Sequence, residues 1–177
     1  MSDKKEESFD YSLFYQRITR YYRQTPGAVS WLRWTNRTLE YVMYLLYLGL
    51  LVALALCGDW LDMLLTIIVP AMCFMWLSAL RRQINRPRPY ERWPIQPLIP
   101  KDTLGSSMPS RHVFSASLIS MASWQLSPLL SLAALVLSLV LAYCRVVGGV
   151  HYVKDVLVGF ALGLLSAWLL LYLVSIC

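Results

Sequence analysis

Charge and histidine are scarce in this sequence. Of its 177 residues only 15% are Asp, Glu, Lys or Arg, and two, His112 and His151, are histidine. The chain is 58% hydrophobic, with its apolar residues in long blocks rather than a 3.6-residue stripe, which excludes an ordinary water-soluble domain. Cysteine offers neither a disulfide framework nor metal-type pairs. Cys57, Cys73, Cys144 and Cys177 stand far apart, within or at the ends of apolar runs, and read as small buried hydrophobes. No internal repeat or low-complexity tract occurs. The start, Met1-Ser2-Asp3-Lys4-Lys5-Glu6-Glu7, is too polar for a secretory signal peptide. A net charge of +6 invites a nucleic-acid reading, but the arginines flank apolar blocks instead of forming a soluble basic face. No nucleic-acid partner is expected; lipid headgroups and an anionic substrate account for the charge better.

The apolar blocks predict an all-α fold: a polytopic membrane bundle of about five transmembrane helices, preceded by an N-terminal interfacial amphipathic helix. The length suits one membrane domain, residues 41–177, after an interfacial segment, residues 1–40. From Ser8 to Gln24, Tyr11, Phe14, Tyr15, Ile18, Tyr21 and Tyr22 fall on one side and Arg17, Arg20 and Arg23 on the other; Phe9 and Leu13 break the pattern. A helix in the headgroup layer fits that division, and packing on the protein's own loops is the alternative. Trp31 and Trp34 read as interfacial anchors. Apolar runs then cover 41–57, 61–80, 112–126, 129–147 and 153–176, with tight turns at Gly58-Asp59-Trp60 and Ser127-Pro128. Pro70 interrupts the second run, tolerable if a neighbour takes up the carbonyl it frees. Gly159 and Gly163 allow a close helix contact. Residues 81–111 form one long loop with six prolines and an unusually apolar content, read as a lid in the interface where lipid enters.

Short turns force the chemistry to one face. The end of the second span (Arg81, Arg88), the start of the third (Ser110, His112), the end of the fourth (Arg145) and the start of the fifth (His151, Asp155) all converge there. Straight helices put His112 about 21 Å and Arg145 about 24 Å from the opposite turn, against a hydrocarbon layer about 30 Å thick. The site is thus recessed, which favours a substrate whose tail stays in the bilayer. Ionisable groups at such depth are functional suspects. His151 and Asp155, four apart, share a helix face, where the carboxylate can accept one imidazole N–H and leave the other nitrogen free. Arg145 precedes them across Gly148-Gly149, so its guanidinium can fold back toward the ring. Three converging guanidiniums suit a multiply charged oxyanion of phosphate geometry. Ser110, at a helix start, can cap it or contact phosphate. Arg82, Arg86 and Arg92 read as snorkelling surface residues. No metal site is expected, because Asp59 and Asp62 belong to the opposite face; nor does an Asp-x-Asp pair supply an aspartyl nucleophile.

Arg81-x6-Arg88-Pro89, Pro109-Ser110-x-His112 and Arg145-x5-His151-x3-Asp155 together resemble the three-part signature of the type 2 phosphatidic acid phosphatase superfamily. The resemblance covers roughly residues 41–176. It implies a helical bundle and a metal-free, cofactor-free phosphohistidine mechanism. By position, it makes His151 the nucleophile, Asp155 its orienter and His112 the acid, with Arg81, Arg88, Ser110 and Arg145 holding phosphate. Three departures stand out. Arg81 occupies the usual lysine position, and Cys144 the position of a serine. Arg111 replaces the usual glycine and sets a cation beside the phosphate, where it can read a second phosphate or a headgroup.

The expected activity is hydrolysis of a phosphate or pyrophosphate ester on a membrane lipid, with phosphatidic acid, phosphatidylglycerophosphate and undecaprenyl pyrophosphate all fitting. A non-catalytic lipid binder or transporter is the first alternative. Vanadate-dependent halide oxidation is the second, against which the spans and the recessed site argue. All 16 Lys and Arg lie on the active-site face, which by the positive-inside tendency points to a cytoplasmic site in the cell membrane.

Overall fold

Two glycines set how closely the central helices approach. A Cβ on Gly159 would strike the backbone of Ser110, and one on Gly163 would strike the carbonyl of Phe114 and the hydroxyl of Ser117. Their bare side lets α7 (Val153–Ile176) press against α5 (Arg111–Ala122). This computed structural model describes residues 10–101 and 103–176. Around the α5–α7 pair stand α2 (Ala28–Cys57), α3 (Trp60–Ile84) and α6 (Pro128–Val147); α1 (Tyr11–Gln24) and the single-turn α4 (Pro89–Arg92) lie at the end where the histidines are. Among the described residues no strand occurs. The polar start, Ser8, Phe9 and Cys177 lie outside them.

Four helices, α2, α3, α6 and α7, are long and apolar enough to cross a membrane. The third apolar run behaves differently. It forms the 12-residue α5 and a 3-10 turn, Ser123–Gln125, and at 1.5 Å per residue α5 is about 18 Å long. Instead of facing lipid it sits in the middle of the bundle, with Val113, Phe114, Ala116, Leu118, Ile119 and Ala122 buried. Its hydroxyls bond to backbone carbonyls: Ser120 donates to Ala116 (2.7 Å), Ser123 to Ile119 (2.8 Å) and Ser117 to Phe114 and Phe160 (both 3.1 Å). Polar atoms buried this deep need such partners. The surrounding helices carry exposed leucines such as Leu56, Leu129, Leu132 and Leu165, as a hydrocarbon solvent requires.

Local chemistry explains the element ends. Gly58, in the left-handed region at φ 82°, closes α2 and turns the chain into α3. Pro70 leaves α3 unbroken. The carbonyl it strips of a helical partner is that of Thr66, and the Tyr47 hydroxyl of α2 donates to it at 2.9 Å.

The aromatic side of α1 is spent on the protein's own loops. Tyr11 and Tyr15 are buried with Tyr152, flanked by Trp93 and Ile95, while Tyr21 is exposed. The Tyr15 hydroxyl donates to the Val147 carbonyl (3.1 Å) and accepts from the Leu98 N–H (3.2 Å). Gly149, at φ 76°, lies directly beneath that hydroxyl, where a Cβ would clash.

The long loop is correspondingly not a free lid. Leu98 is buried against Leu32, Cys144 and Val147; Arg23 and Arg33 donate to the Gln96 and Leu98 carbonyls (both 2.6 Å), and the Ile99 N–H to the Gly148 carbonyl (3.1 Å). Leu98, Ile95 and Trp93 face inward because α1 and α6 offer them a dry surface, while Leu104 is exposed. Cys144 is buried as expected, but Cys57, at the end of α2, is exposed.

Candidate active site

The helix starts and ends converge as the short turns require. Ser110 donates its backbone N–H to the Asp155 carbonyl at 2.9 Å, which ties the beginning of α5 to the first turn of α7. Beside this joint, Arg81, Arg88 and Arg145 are 4%, 4% and 3% exposed and His151 is 1% exposed. Three nearly dry guanidiniums in so small a volume are costly without anionic partners. What they have is mostly neutral carbonyl. Arg81 donates to the carbonyls of Pro109 and Ser106, and Arg88 to those of Gly105 and Val150 (both 3.2 Å).

Two buried polar atoms here have no partner in the protein: the Ser110 hydroxyl and the Arg145 Nε. Ser110 does not cap α5 with its side chain. A buried donor left unmatched costs about 1–3 kcal/mol, so an oxyanion that accepts from both would repay a standing cost.

Asp155 is fully buried and heavily engaged. Its Oδ1 accepts from Arg86 (2.9 Å), and its Oδ2 from the Ser107 hydroxyl (2.5 Å) and the Tyr152 N–H (3.0 Å). The His151 Nδ1 is 3.7 Å from that Oδ2 and 3.5 Å from the Ser107 hydroxyl. Ser107 therefore sits beside the pair and occupies the carboxylate oxygen, and the imidazole stands off at 3.7 Å where a direct bond was expected. Burial, and then the charges of Arg145 and Arg88, push the His151 pKa down to about 4, with the Asp155 contact opposing them. The ring is thus neutral at physiological pH.

Arg145 turns to the other histidine. It donates to Glu40 (3.0 Å) and Asn36 (3.3 Å) of α2, and its second terminal nitrogen lies 3.0 Å from the His112 Nδ1. A guanidinium only donates, so Nδ1 is the acceptor and the His112 proton sits on Nε2, 3.7 Å from Glu40. Arg111 projects away from this group, over the Phe74 ring at 5.9 Å, and lines two cavities. One, about 590 Å³, also meets Arg81, Arg88 and Lys101. The other, about 280 Å³, runs from Glu40 and His112 down a mostly apolar wall of Met43, Phe74, Ile119 and Leu141.

The sequence profile of the PAP2 superfamily matches residues 59–176, two thirds of the chain. The chain belongs to the PAP2 superfamily. Its four helices long and apolar enough to cross a membrane make it a membrane member of that superfamily. Two solved structures share the fold. LpxE of Aquifex aeolicus matches with a TM-score of 0.70 at 20% identity, covering 96% of this chain and 98% of its own. A PAP2-type phosphatidylglycerolphosphate phosphatase from Bacillus subtilis matches with 0.58 at 22% identity, covering 93% and 94%. No curated protein matches.

Within this PAP2 frame, the structure brings Arg81, Arg88, Ser110, His112, Arg145, His151 and Asp155 to one end of the bundle, with Arg111 at the rim. Sequence reasoning missed four further contributors. Arg86, read as a snorkelling residue, instead pairs with Asp155, its guanidinium 4.4 Å over the Tyr152 ring. Ser107 is fully buried beside His151 and donates to Asp155. Glu40 and Lys101 approach from α2 and the loop. One signal was available for Glu40: it is the lone acidic residue between residues 11 and 58. Arg86 and Ser107 carry no such mark, because a loop hides which of its polar residues turn inward.

Proposed function

We propose that this PAP2 protein hydrolyses a phosphomonoester or pyrophosphate on a membrane lipid, without metal or cofactor, through a phosphohistidine at His151. The observation that carries it is the dry cluster of three arginines with two unspent donors, Ser110 Oγ and Arg145 Nε, beside a neutral histidine. Phosphate oxygens would accept from Arg81, Arg88, Arg145 and Ser110, and charge developing on them in transfer would be met by donors already in place. The His151 Nε2 attacks phosphorus, the P–O bond to the lipid breaks, and His112, protonated in the substrate complex, gives a ring proton to the departing oxygen and is left as neutral imidazole. Water then attacks phosphorus and loses its proton to His112. The P–N bond breaks with its electron pair returning to His151. Asp155, held by Ser107, Arg86 and the Tyr152 N–H, orients the ring. Arg111 stands where a headgroup or a second phosphate would pass.

The lipid is of phosphatidic acid, phosphatidylglycerophosphate or undecaprenyl pyrophosphate type; the Bacillus subtilis neighbour supports the glycerophospholipid monophosphates. Purified protein given these three lipids should release phosphate from at least one, and His151→Ala should not. Equal release by the variant sinks the mechanism. The basic end faces the cytoplasm in this reading. Cys57 lies at the opposite end and is exposed, so with the other cysteines removed a membrane-impermeant maleimide should label it in intact cells. Labelling only after lysis would reverse the orientation.

A further inference from the structure

A third cavity, of about 430 Å³, lies between α2 and the loop on the His112 side of the site. Arg33, Arg37, Lys101 and Arg145 line it, with Glu40 the one carboxylate among the described residues of its wall. That carboxylate is already committed to Arg145 and to the Asn36 amide (2.9 Å). Arg33 holds the wall in place through its bond to the Leu98 carbonyl, and Ile99 and Pro100 complete the wall. Lys101 also borders the cavity of Arg81 and Arg88, so the two chambers meet at its ammonium. Burial, with Arg145 and Arg88 nearby, pushes the Lys101 pKa down to about 8, as in a chamber short of negative charge. Residues 33–40 precede residue 59, where the PAP2 match begins, so the family profile does not describe this wall.

We infer that Arg37 and Lys101, with Arg33 and Arg145, form a second phosphate-binding subsite beside His112, on the side from which the lipid oxygen departs. The inference rests on the lipid phosphatase reading. A phosphate arriving there comes either from the substrate itself, as the second phosphate of a lipid diphosphate, or from a neighbouring anionic lipid.

Binding separates these sources and needs no turnover. The probes are an alkyl methylenebisphosphonate and an alkylphosphonate with the same tail, titrated against the full chain in neutral detergent micelles. Unmodified protein should prefer the bisphosphonate. Arg37→Gln and Lys101→Gln should each cut that preference about tenfold, the effect of one charge-assisted hydrogen bond, and Arg37→Lys should keep most of it. That result assigns the phosphate to the substrate. If instead phosphatidylglycerol in the micelles tightens the monophosphonate, and Arg37→Gln abolishes the gain, the phosphate is a neighbour's. A preference and a lipid response untouched by all three substitutions, or equal weakening of both probes, overturns the subsite. Phosphate release from the same preparations tests the phosphatase reading separately.

Discussion

Glu40 holds the guanidinium that the mechanism assigns to phosphate, so at the residue scale an acid competes with the substrate. Glu40→Gln should bind inorganic phosphate several-fold more tightly, read as a lower product-inhibition constant, because Arg145 loses a charged partner. An unchanged or weaker constant would mean that Arg145 does not meet the anion. The Asp155 network gives a graded expectation. Arg86→Gln should lower kcat on the order of tenfold while Arg86→Lys retains more, since the ammonium still pairs with the carboxylate. His151→Ala should cost at least about 1000-fold, as loss of a nucleophile does. With His151 held near 4 in the free protein, neutral imidazole persists well below the usual histidine range, so the acid limb of kcat/KM should fall below pH 5. A limb at 6.5 would place the ring in a wetter setting.

The helices carry their own tests. Tyr47→Phe strands the Thr66 carbonyl that Pro70 leaves free, at a cost of about 1–3 kcal/mol in a dry setting, read as a lower Tm in detergent. If Tm does not move, another donor reaches that carbonyl. Gly159→Val should harm activity more than stability, because the new methyls meet the Ser110 backbone at the start of α5 and shift Ser110 and His112 against His151. Gly163→Val, deeper in the same seam, meets Phe114 and Ser117 and should lower Tm as strongly with less effect on the chemistry. The comparison separates helix packing from site alignment, both of which α7 serves.

For the whole molecule, the linkage between protonation and folding has a definite sign. The folded pKa of His151, about 4, lies below its ordinary 6.5, so the unfolded chain takes the proton more readily. This contribution is full above pH 6.5 and is lost as pH falls toward 4. Melting the protein in micelles across that window should show a steeper acid decline than for His151→Gln. Parallel curves would remove His151 from the balance.

Spans, connectivity and chemistry were legible because hydrocarbon imposes long apolar runs and short turns must return each helix to the face it left. His112, Arg145, His151 and Asp155 were therefore assignable to one end without coordinates, and Gly159 and Gly163 to a tight seam. Which helix is buried was not legible from apolar runs: α5 is shorter and less apolar than α2, α3, α6 and α7, yet the closeness permitted by those glycines puts it, and not α6, in the centre. Nor could sequence show that Arg86 and Ser107 turn toward Asp155, or that Glu40 reaches Arg145 across 105 positions. Hydropathy constrains depth along the membrane normal; the partner each polar group finds at that depth is settled by packing in the plane.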